Sequence, residues 1–239
     1  MSVILSIETS TTVCSATLAR NDNEIAIDKV CYEPQNHASK LPVFLEEIIN
    51  FARRNDMMPD AVAVSAGPGS YTGLRIGVSS AKGLCYALGV PLIAVDTLQT
   101  IVVEAIKRVG DDMLYCPMID ARRMEVYTAL FDGNAKRLTE VEAKIIDENS
   151  FRDVLEEGRV VFCGNGADKC RQAIRHPNAV FLDDIHPLSI NMLSVAADKL
   201  KSGTVEDTAY FEPFYLKEFV GTKPKPMIKK MKSNKLKID

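Results

Sequence analysis

The sequence predicts an α/β protein of two lobes, each built on a mixed β-sheet, and three observations carry that reading. Short runs rich in Val and Ile alternate with segments whose apolar residues recur at helical spacing. Residues 60–64, an apolar run, lead into the glycine-rich loop Ser65-Ala66-Gly67-Pro68-Gly69-Ser70 and then into a helix reaching Leu88. The element order then repeats. Three strands, helix, strand, helix, strand, helix run up to Arg108, and the same order runs again from Leu114 to Leu200. A chain of 239 residues holds one large domain or two small ones. The repeat divides it into an N-terminal lobe over 1–109, a C-terminal lobe over 110–222 and a flexible basic tail over 223–239.

Each element has its own signal. Residues 3–8 alternate weakly and are rich in Val and Ile, as a strand is. A polar turn over 9–12 leads to a strand over 14–20. Asn21-Asp22-Asn23 then marks a turn into a third strand over 24–31. A helix over 36–54 presents Leu41, Phe44, Leu45, Ile48, Phe51 and Ala52 on a wide face. Pro42 inside it is tolerated near the first turn or with a kink. In the glycine-rich helix, Leu74, Val78, Ala81, Cys85 and Leu88 form one stripe, and Gly89 stops it with Pro91 beyond. A strand over 92–95 and a helix over 97–108 complete the first half. The second half reads as strands over 114–120, 124–131, 137–146, 160–163 and 179–182. Its helices cover 150–157, capped by Ser150, 166–174 and 188–200.

Composition limits the classes of function. The chain is 46% hydrophobic and 26% charged, ordinary for a soluble protein. Its net charge of −3 hides an asymmetry. Seven Lys and one Asp lie in 223–239, which leaves the remainder nine charges negative. The six Cys show no metal or redox spacing and sit mostly in apolar runs, as in a reducing compartment. With no signal peptide and no membrane-spanning run, the sequence predicts a cytoplasmic protein without membrane contact.

The helix after the glycine loop carries two messages. Gly73, Gly77 and Ala81 form a ridge at i, i+4, i+8 with almost no side chain, and Gly77 and Gly83 each cost roughly 1 kcal/mol against Ala. Close approach of another backbone would offset that cost. The partner is either the protein's own sheet or a helix of another subunit. Named phosphate loops do not fit. Thr72 stands where a P-loop needs its second Gly, no Lys follows, and Gly69 and Gly73 are one residue too far apart for a dinucleotide fingerprint.

This stretch, with Ile4-Leu5-Ser6-Ile7-Glu8-Thr9-Ser10 before it and Ile119-Asp120-Ala121-Arg122-Arg123-Met124-Glu125-Val126-Tyr127 after it, resembles the bacterial TsaB (YeaZ) family. The resemblance reaches to about Lys217. It implies the sugar kinase/heat-shock protein/actin-like (RNase H-like) fold and a role as accessory subunit in forming threonylcarbamoyladenosine in tRNA. Implied partners are a TsaD-type catalytic subunit, a TsaE-type ATPase, tRNA through the complex, and a second copy when the chain is alone. ATP and a divalent metal would be used by the assembled complex, with no cofactor bound by this chain alone.

The residues themselves argue against independent chemistry. Members of the superfamily hold phosphate and metal at the turn after the first strand. Here Glu8, Thr9 and Ser10 occupy it with an acid and hydroxyls but no Gly. The matching turn begins at Asp120, where relatives commonly carry Gly at the position of Met124. Gly164-Asn165-Gly166 could approach a nucleotide, although an ordinary turn before a helix accounts for it. These six residues, Glu8, Thr9, Ser10, Asp120, Gly164 and Gly166, are the candidate vestigial nucleotide cleft. The TsaD-type relatives place two His at i, i+4 after the strand over 92–95, and this chain has none there. His37, His176 and His186 have no ligand spacing and read as surface residues. No nucleophile elbow appears, and Ser70 reads as a helix start. Arg122 and Arg123 either clamp an anion or face solvent. The expectation is a non-catalytic subunit that docks through Leu41, Leu45, Gly73, Arg75, Gly77, Val78 and Ala81. A small-molecule kinase and, last, a metallopeptidase remain as alternatives.

Overall fold

The computed structural model describes residues 2–20, 24–34 and 36–217. The Lys-rich segment 223–239 lies outside the described residues. The first half contains β1 (Val3–Glu8), β2 (Cys14–Arg20), β3 (Glu24–Cys31), α1 (His37–Arg54), β4 (Ala61–Gly67), α2 (Tyr71–Leu88), β5 (Leu92–Asp96) and α3 (Thr97–Val109). The second contains β6 (Leu114–Asp120), β7 (Glu125–Thr128), β8 (Glu142–Ile145), α4 (Arg152–Glu157), β9 (Val160–Cys163), β10 (Ala179–Phe181) and α5 (Leu193–Lys201).

The strands form two five-stranded sheets with the same plan. The first has the order β3-β2-β1-β4-β5 and the second β8-β7-β6-β9-β10. In each, the first three strands form an antiparallel meander and the last two add in parallel. This is the duplicated mixed-sheet architecture expected from the repeated element order.

Alternation along the strands builds two cores on each sheet. In the first, Leu5, Ile7, Val62, Val64 and Leu92 face α1 and α2. Ile4, Ala61, Ala63, Ile93 and Val95 face Leu193, Ala196 and Ala197 of α5. In the second, Tyr115, Ile119, Val161 and Cys163 face Leu98, Ile101, Val102 and Ala105 of α3. The helices therefore do not follow a division at 109/110. Helix α3 belongs to the first half in sequence but covers the second sheet, and α5 does the reverse. Polar bonds lock this exchange: Ser189 N donates to Ser15 Oγ at 2.9 Å, and Lys199 Nζ donates to Ala94 O at 2.7 Å. After α5 the chain returns along the first lobe. Glu206 N donates to Leu92 O at 2.8 Å, and Phe214 N donates to Ala66 O at 2.7 Å.

Several expected elements are shorter. The strand expected over 137–146 is continuous over Glu142–Ile145 with an isolated bridge from Arg137 to Phe131, and that over 124–131 is continuous over Glu125–Thr128 with an isolated bridge from Phe131 to Tyr115. The helix expected over 166–174 is a 3-10 turn at Asp168–Cys170, and the one over 188–200 begins with 3-10 geometry at Ser189–Met192. Ser150 does not cap α4. Its hydroxyl accepts from Asp147 N at 3.0 Å, while Phe151 enters the helix at φ 64°. His37, expected at the surface, is buried, with its Nε2 3.2 Å from Val13 O. No helix among the described residues is long and apolar enough to cross a membrane.

Candidate functional site

The turn after β1 is built into the start of α2. Thr9 Oγ1 donates to Gly73 O at 2.8 Å, and Ser70 N donates to Ser10 O at 2.6 Å. A Cβ at Gly73 would lie 2.1 Å from Thr9 O, one at Gly77 2.2 Å from Thr9 Oγ1, and one at Gly69 2.5 Å from Ser10 O. The glycines therefore serve close approach inside this chain. Ser70 is the cap of α2, accepting from Gly73 N at 3.2 Å, and Gly89 ends the helix at φ 69°.

This corrects the expected docking set. Leu41, Leu45, Gly73, Gly77, Val78 and Ala81 are all buried in the first lobe's own core. Their stripe is the face that a helix turns toward its sheet. Of the seven, Arg75 alone is exposed, bonded to the Tyr71 hydroxyl at 2.8 Å. The outward face of α2 instead carries Arg75, Ser79, Gly83 and Tyr86. A Cβ at Gly83 would meet nothing within 4 Å, and Tyr86 is 90% exposed.

Glu8 is the most perturbed acid of the turn. It is fully buried, and its Oε1 accepts from Ser10 N at 2.5 Å while Oε2 has no partner. Burial pushes its carboxyl up to about 7, against the opposing pull of Ser10, Ser65 and the Thr9 backbone. The hydroxyls of Ser6, Ser10, Thr11, Ser65 and Thr97 are also buried without hydrogen-bond partners. Sequence reading missed Thr97 at the start of α3, and it missed Ser6 and Ser65 because strand hydroxyls carry no motif. Their alternation with the apolar residues of β1 and β4 is the available signal.

The second turn is closed in its own way. Gly166 N donates to Met118 O at 2.9 Å, and a Cβ at Gly164 would lie 2.6 Å from the same oxygen. A Cβ at Gly166 would lie 3.0 Å from Asp120 N. Asp120 is exposed and takes an ion pair from Lys169, while its backbone N donates to Asn165 Oδ1 at 3.0 Å. No hydrogen bond or ion pair among the described residues joins the Glu8 turn to the Asp120 turn.

The backbone of one turn is committed to α2, and the glycines of the other are filled by β6. Among the described residues, no group of three or more His, Cys, Asp or Glu side chains gathers as metal ligands would. Arg122 and Arg123 sit at φ 73° and 50°, each costing about 1–3 kcal/mol outside glycine. Asp120 Oδ1 accepts from Arg122 N at 3.0 Å and holds that turn.

The relatives match this architecture. Residues 33–218 match the family model described as TsaD, tRNA N6-adenosine threonylcarbamoyltransferase. The chain is 34% identical to the Bacillus subtilis tRNA threonylcarbamoyladenosine biosynthesis protein TsaB, over 72% of this chain and 74% of that one. It is 28% identical to the Escherichia coli protein of the same name, over 93% and 98%. YeaZ from Pseudomonas aeruginosa shares the fold with a TM-score of 0.78 at 24% identity, over 90% of this chain and all of that one. With a family model over most of its length and a TsaB relative at this identity, the chain belongs to the TsaB (YeaZ) family, whose named members act in tRNA threonylcarbamoyladenosine biosynthesis.

Proposed function

We propose that the chain is a non-catalytic subunit of the complex that forms threonylcarbamoyladenosine in tRNA, where it scaffolds and activates a TsaD-type catalytic subunit. One observation carries this reading: both turns that would hold phosphate in a two-lobed kinase are occupied by the chain's own packing, at Thr9 against Gly73 and at Gly166 against Met118. The cleft at Glu8, Thr9, Ser10, Asp120, Gly164 and Gly166 is then vestigial. A TsaE-type ATPase, ATP and a divalent metal belong to the assembled complex, in the cytoplasm.

Docking uses the outward faces of α1 and α2, with Val43, Arg75, Gly83 and Tyr86 exposed there. An exposed large aromatic beside an unfilled glycine is a place for a partner side chain. Alone, the same face closes on a second copy with two-fold symmetry. The test is reconstitution of the full chain with the TsaD-type and TsaE-type subunits, tRNA, an activated threonylcarbamoyl donor, ATP and magnesium, with the modified nucleoside read by mass spectrometry. The expected result is product only when this chain is added, and none from this chain with ATP alone. Multiple ATP turnovers by the isolated chain would favour the kinase reading instead. Gly83→Arg should weaken self-association and the mixed complex in sedimentation while leaving the monomer folded.

A further inference from the structure

We propose that the pocket between α2 and the returning segment 206–217 is a socket for a carboxylate side chain of the TsaD-type partner, and that it favours the mixed complex over the pairing of two copies. The inference rests on the proposed function for its partner and on the chemistry of α2 for its occupant.

Arg75, Ser79 and Lys82 stand on one face of α2 at i, i+4 and i+7, and Tyr86 continues that face at i+11. Phe211, Pro213 and Tyr215 of the returning segment form the opposite wall of a pocket of about 260 Å³. That wall is held on both lobes. Phe214 N donates to Ala66 O at 2.7 Å, and Lys217 makes an ion pair with Glu125 of β7. The two cations are fixed as well. Arg75 donates to the Tyr71 hydroxyl at 2.8 Å, and its guanidinium lies 5.3 Å from the centre of that ring. Lys82 Nζ donates to Ala209 O at 3.0 Å and to Phe211 O at 3.1 Å. All of these acceptors are uncharged. Among the described residues neither cation has an ion pair, and Glu212 is the only acid lining the pocket.

Size and charge select the occupant. Small-molecule sites occupy about 300–1,000 Å³, so this pocket suits one side chain better than a nucleotide. Two cations against Glu212 leave it positive, and the Arg75 fork keeps donors that match the two oxygens of a carboxylate. A second copy does not supply that group from the same helix, because Tyr71–Leu88 contains no Asp or Glu. Helix α1 has Glu46 and Glu47, and Lys29 already holds Glu47. Two copies meeting α2 to α2 therefore set their cations opposite a helix without acids. A partner helix carrying Asp or Glu at this place fills the socket and is preferred by that difference.

The experiment measures two affinities of the full chain by sedimentation, one for the TsaD-type subunit and one for itself, at about 50 and about 300 mM KCl. The ratio of mixed to self affinity is the readout. Arg75→Met keeps an apolar stem and removes the charge. It should lower the ratio at least about tenfold at low salt, and Arg75→Lys should lower it less. Ser79→Glu places a carboxylate of this chain between the two cations, four residues from Arg75 and three from Lys82. It should keep or raise the melting temperature while lowering the ratio at least about tenfold. The wild-type ratio should fall with salt more steeply than that of Arg75→Met. An unchanged ratio in both Arg75→Met and Ser79→Glu, or a wild-type ratio indifferent to salt, overturns the proposal and leaves the functional reading standing. Wild type that binds no TsaD-type subunit at either salt concentration sinks the functional reading, and the socket's occupant with it.

Discussion

The Thr9 hydroxyl reaches from the turn after β1 to the Gly73 carbonyl at 2.8 Å, and the missing side chains of Gly73 and Gly77 make room for it. Gly73→Ala would drive a Cβ to within 2.1 Å of a backbone oxygen that cannot swing away. Overpacking of this kind costs about 1–3 kcal/mol, more than the helix gains from Ala. Gly83→Ala meets nothing and should stabilise the isolated chain by about 1 kcal/mol. Urea unfolding of the two variants should give shifts of opposite sign.

Stability should also depend on the Glu8 carboxyl. Its folded value of about 7 lies above the ordinary 4.5, so the folded state holds the proton more tightly. Between pH 4.5 and about 7 the folded protein binds more protons than the unfolded chain, and stability falls as pH rises through that window. The loss approaches about 3 kcal/mol above about pH 7. Glu8→Gln keeps an acceptor for Ser10 N and removes the charge. Its stability relative to wild type should be higher at about pH 8 than at about pH 5, measured by chemical denaturation at both.

All six cysteines are buried and unpaired by disulfides. Burial pushes the thiols of Cys14 and Cys116 up to about 12 and that of Cys85 to about 11, and raises Cys163 further. Thiolate is the reactive species. The native protein should therefore react with a thiol reagent at about pH 8 far more slowly than the denatured chain, which should release six equivalents at once.

Asp96 joins the lobes. Its Oδ1 caps α3 through Leu98 N at 2.8 Å, and its Oδ2 meets Arg137 at 3.1 Å. Asp96→Asn keeps the cap and loses a partly exposed ion pair, so it should cost under about 1 kcal/mol. Asp96→Ala loses both and should cost about 1–2 kcal/mol more. A double-mutant cycle with Arg137→Ala checks the partition by thermal unfolding.

The strands of both sheets were legible because their Val- and Ile-rich runs and turn signals are local. The cap at Ser70 and the stop at Gly89 were legible for the same reason. What α3 and α5 cover was not, since an amphipathic stripe states that a helix needs a sheet without stating which one. The docking residues were misread by the same gap. A glycine ridge records close approach, and only the fold reveals that the approaching atom belongs to Thr9, sixty-four residues away. The 3-10 turn at Asp168–Cys170 escaped because Cys170 and Ile174 bury like helical neighbours. The anchoring of Lys217 at Glu125 has no sequence signal at all.

The exchange of α3 and α5 has a consequence during synthesis. By the time β5 has emerged from the ribosome, every strand of the first sheet has its partner in hand, but Ile4, Ala61, Ala63 and Ile93 still lack the helix that covers them. That helix begins at Leu193, so at about 5–20 residues per second the apolar face stays open to the solvent for roughly 5–20 s. Neither half of the gene encodes a unit able to close its own core. A nascent chain stalled before Leu193 should be a client of the cell's chaperones, and the chain is safe from its neighbours only when its last helix arrives.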